Sequence, residues 1–250
     1  MSTVVKALSL LDHFDASARE FGLVDMARLS GLDKATTRRL LIALAAKGFI
    51  EQDRTTRRYR LGAALVRLAR IREAALPLVE IARPTAEALS QQSGETVHVS
   101  QIAGDILSSV FVCESPFANR VSVAVGQELP FNCTASGLAF LSAATEGFCA
   151  AVLKGPLPRM TRNSLSAAQL KKRIEETRKR GYAFSDQGFE DDVVSVAAPV
   201  VDASGLAIGA ISITCPAVRA NEAAIVRHGG EVRAAALQIS TSLGGRLAVA

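Results

Sequence analysis

Metal-binding and disulfide chemistry have little to work with in this sequence. Its four cysteines, Cys113, Cys133, Cys149 and Cys215, are scattered with no CxxC pair, and there are only three histidines, His13, His98 and His228. A zinc site or a disulfide framework needs ligands at short, regular spacings. The thiols therefore read as free, buried side chains, and neither a metal nor any other cofactor is expected. Long apolar runs are also missing: stretches such as Leu40 to Ala46 fall well short of the roughly 18 residues that would span a bilayer. Lys6, Asp12 and His13 interrupt the start before an apolar targeting core can form, so the expected location is the cytoplasm. There is no G-x-S-x-G elbow, no HExxH and no P-loop.

What is present is material for folded domains. Hydrophobic residues make up 49% of the 250 and charged residues 21%, which argues against disorder, and the length exceeds a single domain of roughly 100 to 200 residues. The net charge of +5 is unevenly spread. Residues 1–75 hold 14 lysines and arginines against 8 acidic residues, a balance of +6, and the remainder nets −1. A local positive field of this kind attracts a polyanion to the N-terminal third alone.

That third reads as three helices and a hairpin. Val4, Ala7, Leu8, Leu11 and Phe14 make one apolar face over residues 3–14. A short helix over 23–29 stops at Ser30-Gly31. Asp33 then caps a helix over 34–47 whose Leu40, Leu41 and Leu44 point inward. Two helices joined by a short glycine turn form a helix-turn-helix. Gly48 to Ile50 and Tyr59 to Leu61 flank an arginine-rich connection as hairpin strands would.

With the leucines inward, the 100° step per residue turns Lys34, Ala35, Thr36, Arg38 and Arg39 outward on the first two turns and leaves Thr37 near the core line. In a helix-turn-helix protein this end of the second helix enters the major groove, where arginine can bond guanine and threonine or alanine can meet a thymine methyl. Arg54, Arg57 and Arg58 of the hairpin would reach phosphates or the minor groove. A merely solvated helix face would mix in glutamates for i, i+4 pairs, and residues 34–47 contain none.

The stretch "LVDMARLSGLDKATTRRLLIALAAKGFIEQD", followed by "YRLG", resembles the N-terminal signature of the isocitrate lyase regulator (IclR) family of bacterial transcription factors. The likeness continues through "SGETVHVS", "LPFNCTASGLAFLS" and "RGYAFSD…VVSVAAPVVDASGLAIGAISIT" and so covers nearly the whole chain. It implies an α+β protein with a winged helix-turn-helix over 1–62, a linker helix over 63–76 and an effector-binding domain related to GAF-type sensors over 77–250. Leu65, Leu68 and Ala69 give the linker a narrow apolar stripe suited to a second subunit, so the implied assembly is a homodimer or a dimer of dimers on duplex operator DNA.

Beyond residue 93, stretches 96–102, 106–113, 121–125, 193–201 and 207–214 are β-rich, Ser166 and Gln169 have capping-box spacing, and residues 220–243 supply a last helix. This pattern predicts a single sheet backed by helices, with a small-molecule pocket. In "NCTASGLAFL" a turn leads into an apolar helix whose unpaired N–H groups make an anion site. By itself that pattern reads more readily as an ordinary capped helix. The resemblance implies instead that Ala135 and Ser136 bind a small organic acid, with Ser185 or Asp186, Ser195, Ser212 and Thr214 around it. Ser195 stands where the family has a cysteine, Gln187-Gly188 where glutamates are frequent, and Asp192 where glycine is frequent, so the particular acid does not carry over. An enzyme with Cys133 or Ser136 as nucleophile and His98 as base is the alternative reading. A purely architectural DNA binder would not need a neutral α/β domain of this size.

Overall fold

A computed structural model describes residues 2–15, 18–75 and 78–245, without the side chains of residue 70 and residues 72–75. The chain divides into two compact units, residues 1–76 and 77–250. Leu76 and Pro77, on either side of that division, lie outside the described residues. The described residues contain no helix long and apolar enough to cross a membrane.

The first unit opens with α1 (Thr3–Leu8) and a 3-10 turn (Leu11–His13) in place of one helix over 3–14. Ser9 ends α1, its hydroxyl donating back to the Lys6 carbonyl at 3.1 Å. The chain then turns Leu10 fully into the core, leaving Val4 and Leu8 67% and 48% exposed. Helices α2 (Leu23–Ser30) and α3 (Lys34–Ala46) follow, α2 ending at Gly31. Leu10, Met26, Leu40, Leu41, Leu44, Ile50 and Tyr59 form the core of this unit.

The hairpin strands are β1 (Ile50–Gln52) and β2 (Tyr59–Leu61), antiparallel with Ile50 opposite Leu61. β1 starts two residues later than the sequence predicts. Gly48, at φ +74°, is the left-handed exit from α3 that lets the chain reverse. Phe21 exchanges two backbone hydrogen bonds with Tyr59, an isolated antiparallel bridge beside the two-stranded sheet. On α4 (Ala63–Ala75) Leu65 is half-buried, while Val66, Leu68, Ala69 and Ile71 are exposed.

The second unit is built on one antiparallel sheet of order β4-β3-β7-β6-β5. Its strands are β3 (Thr96–Ala103), β4 (Ile106–Cys113), β5 (Ala183–Asp186), β6 (Val193–Val201) and β7 (Ala207–Pro216). Strand period 2 divides the sheet's two faces. Val97, Val99, Val196, Ala198, Ile211 and Ile213 face α5 (Leu78–Ser93) and α9 (Glu222–Ser242). Ala183, Ala197 and Ala210 face the other way, against α6 (Ala135–Ser142) and α8 (Ala167–Arg180).

α7 (Glu146–Lys154) and β5 were not predicted. The capping box of α8 is present, with Ser166 and Gln169 bonded reciprocally. The expected strand over 121–125 is a loop. A reverse turn brings the Gln127 N–H to the Ala124 carbonyl at 3.1 Å, and the chain pairs with the β4 edge only around Glu128. These elements match the α+β architecture that the pattern of helices and strands predicts.

Candidate functional sites

The first candidate site begins at the N-terminus of α3. The Asp33 carboxylate accepts the Thr36 N–H at 2.8 Å, and that bond, followed by the Thr36 hydroxyl, holds Asp33 below the ordinary carboxylate range. Thr37 is buried and its hydroxyl donates to the Asp33 carbonyl. Lys34, Ala35, Arg38 and Arg39 are exposed and Thr36 is half-buried. Among the described residues no ion pair engages Lys34, Arg38 or Arg39. This leaves their charge available on one helical surface.

The hairpin tip is tied by Asp53, whose carboxylate accepts the N–H groups of Thr55 and Thr56 and the Thr56 hydroxyl. These bonds, that from the Thr56 N–H first, lower its pKa. Arg57 takes a left-handed conformation at φ +59°, with its carbonyl accepting from the Gln52 amide at 2.9 Å. Arg54 and Arg57 are exposed. Arg58 is exposed as well, and one N–H of its guanidinium donates to the Glu20 carbonyl at 3.0 Å. That bond ties the hairpin to the chain next to Phe21.

The second candidate site lies on the α6 face of the sheet. Ser195, Thr214 and Thr96 stand opposite one another on β6, β7 and β3, one register step from His98 and Ser212. α6 starts over this row, capped by Thr134, whose hydroxyl accepts the Gly137 N–H at 3.0 Å and donates to the Pro130 carbonyl. The Ala135 N–H donates to the Ser195 hydroxyl at 3.4 Å. His98 Nε2 lies 3.2 Å from Ser136 Oγ, and its Nδ1 lies 3.5 Å from Thr214 Oγ1. His98 is 4% exposed, and burial pushes its pKa down to about 4, so the imidazole is neutral at pH 7.

His98, Ser136, Ser195 and Thr214 line a small cavity of about 40 Å³, walled by Val121, Val123, Gln127 and Phe189 among others and reaching the surface at exposed Ser122 and Glu190. That is room on the scale of water. Drug-sized ligands occupy clefts of roughly 300 Å³ or more, so an organic ligand would have to displace these walls.

Not every expected group reaches this cavity. Ser212 points to the same face, but its hydroxyl donates to the Val196 carbonyl at 3.1 Å. Ser185 lies one strand further out on the edge strand β5, where its hydroxyl donates to the Cys133 carbonyl at 2.8 Å. Asp186 is exposed, and with Ser185 it lines a separate open cleft beside Arg162, Lys172 and Arg173. Cys133 Sγ is turned toward Pro158 and Ser164, which leaves Ser136 as the candidate nucleophile beside His98. His98 itself, expected only as a base in the enzyme reading, is a central cavity group. That it shares a face with Ser212 and Thr214 follows from the register of β3 against β7, which the sequence does not give.

The family model described as "Bacterial transcriptional regulator IclR C-terminal" matches residues 74–241, and the "IclR helix-turn-helix domain" matches residues 3–54. A crystal structure assigned to the IclR transcriptional regulators, from Silicibacter sp. TM1040, is 37% identical, with a TM-score of 0.86 over 99% of this chain and 98% of that one. The HTH-type transcriptional regulator XynR of Escherichia coli K12 is 28% identical over 98% of both chains. An IclR homolog from Microbacterium hydrocarbonoxydans, complexed with 4-hydroxybenzoate, has a TM-score of 0.82 at 24% identity, over 97% of this chain and 99% of that one.

Proposed function

The chain belongs to the IclR family of bacterial transcriptional regulators, and from that premise we propose that it is a DNA-binding regulator whose affinity for an operator is set by a small organic acid held in its C-terminal unit. The observation that carries the DNA half of this reading is the uncompensated basic start of α3. Lys34, Ala35, Thr36, Arg38 and Arg39 would face base edges in the major groove, while Arg54 and Arg57 would meet the backbone. Two copies related by a two-fold axis would read inverted half-sites.

A division of labour between α3 and the hairpin is measurable by fluorescence anisotropy on an operator and on scrambled duplexes. Arg38→Ala or Arg39→Ala, where the arginine makes a bidentate base contact, should cost about 1 to 3 kcal/mol on the operator and relax one position. Arg57→Ala should weaken binding to every duplex and lower the salt slope by about one. A sequence-selective loss from Arg57→Ala would contradict the assignment. Arg58→Ala should act differently again, by loosening the hairpin from Glu20.

The acid half of the reading rests on three hydroxyls, Ser136, Ser195 and Thr214, converging with His98 beneath the start of α6. They suit a carboxylate, and the relative complexed with 4-hydroxybenzoate offers an example of such a ligand. The acid must also bind the DNA-competent and DNA-incompetent states unequally. A tenfold change in operator affinity needs about 1.4 kcal/mol of coupling. Calorimetry of the full chain against a panel of acids and their amides should show heats for an acid alone; amides binding equally well would remove the anion site.

The contact between Ser136 and His98 gives the hydrolase reading one supporting observation. Against it, Nδ1 meets the Thr214 hydroxyl where a triad has a carboxylate, and an imidazole with a pKa of about 4 is a weak base near pH 7. Ester turnover abolished by Ser136→Ala would favour that reading.

A further inference from the structure

We propose that His98 is the cation of this cavity: it takes up a proton as a carboxylate settles beside Ser136, so that the acid and one proton bind together. The proposal rests on the organic-acid reading above and adds the residue that neutralises the acid.

The cavity contains many hydroxyls but no fixed positive charge. Among the residues that line it there is no lysine or arginine, and the one ionisable side chain besides His98 is Glu190, of the same sign as the ligand. A carboxylate moved into such a place loses its water. Neutral donors offset that loss only in part, and a buried anion is normally paired with a cation. At the start of α6 the Ala135 N–H is given to Ser195 and the Gly137 N–H to Thr134, which leaves the Ser136 N–H as a neutral backbone donor but supplies no full positive charge. His98 is the group that can become positive. Its Nε2 is already aimed at Ser136 Oγ, at 3.2 Å, so a ligand oxygen bound to that hydroxyl would lie beside the imidazole edge.

The imidazole is neutral for a reason that a bound anion would remove. Thr96 and Ser100 on its own strand, Ser212 and Thr214 on β7, Ser136 on α6 and Gln127 on the loop are all uncharged, and burial alone depresses His98. Glu190, exposed on the 187–192 loop, is the charged group on this side of the sheet that lines the cavity, and it favours the same protonated form. An anion at hydrogen-bonding distance reverses the balance.

The test is calorimetry of the full-length protein with benzoate, 4-hydroxybenzoate, pyruvate and lactate at pH 6, in two buffers of different ionisation enthalpy. The binding acid should take up close to one proton per site. Its affinity should fall toward tenfold per pH unit between about pH 5 and 6, and less steeply above. His98→Gln should bind more weakly, without proton uptake or pH dependence. Ring ¹⁵N shifts of the wild type at pH 6 supply a second readout, with the His98 resonances moving to the imidazolium pattern on saturation. Binding without proton uptake overturns the proposal and leaves the acid site standing. So does the same uptake in His98→Gln, which would put the proton on the acid or on Glu190. If none of the four acids binds at millimolar concentration, the organic-acid reading itself fails, and His98 loses its role with it.

Discussion

Replacing Gly137 with alanine should destabilise the C-terminal unit by about 3 kcal/mol or more, at the upper end of what overpacking costs. A Cβ at this position would lie 2.4 Å from Phe131 Cα and 2.9 Å from the carbonyl oxygens of Pro130 and Phe131. Those are backbone atoms and cannot rotate aside. The Pro130 carbonyl also accepts from the Cys133 and Thr134 N–H groups and from the Thr134 hydroxyl, so pushing it away undoes the cap of α6. Residues 135–141 are all buried, and the helix has no exposed route by which to shift. Urea denaturation of the full chain should show the loss in the C-terminal transition, with the N-terminal transition unchanged and acid binding abolished. Gly147→Ala in α7 is the control. Its Cβ would meet nothing within 4 Å, and alanine gives up less backbone freedom than glycine on folding, so the change should be neutral or slightly stabilising. A Gly137→Ala protein as stable as the wild type would show that the chain relaxes where the packing says it cannot.

Acid should weaken the same unit through one side chain. His98 titrates near pH 4 in the folded protein and near 6.5 when unfolded, so between those values the unfolded chain binds the extra proton. The stability contribution of neutral His98 is therefore fully present above about pH 6.5 and is lost as the pH falls toward 4. Going from pH 7 to pH 4 should remove about 3 kcal/mol. Urea denaturation of the ligand-free protein across that range, compared with His98→Gln, isolates the contribution, because the variant should lack that part of the slope. Equal slopes in the two proteins would mean that the imidazole is already charged at neutral pH or is solvated where it sits.

Features governed by neighbouring residues could be read from the sequence. The turn at Gly31, the Asp33 cap, the inward Leu40, Leu41 and Leu44, and the capping box at Ser166 all depend on residues within one helical turn, and all are present. The reading failed where distant segments decide. Residues 121–125 have strand composition, but a turn at 124–127 and an edge already engaged at Glu128 keep them a loop. Leu10 gave no periodic signal because it follows the end of α1 instead of lying on its face. The family resemblance, not the spacing, groups Ser185 and Asp186 with Ser195, and Ser185 does stand opposite Ser195. Only the strand order puts β5 at the edge, outside the cavity. His98 was visible as a chemical group and α6 as a helix, and what the sequence could not supply was that the start of α6 packs over His98.

The division of the central sheet into an aliphatic face and a hydroxyl-rich face has a consequence for how such a protein can change over generations. Residues such as Val97, Ile211 and Ile213 hold the sheet to α5 and α9. Their strand neighbours His98, Ser212 and Thr214 point the opposite way. Substitutions on the second set remove few of the contacts made by the first, and the effects of residues that share no partners add nearly independently. The residues lining the cavity are free to drift without the fold drifting with them.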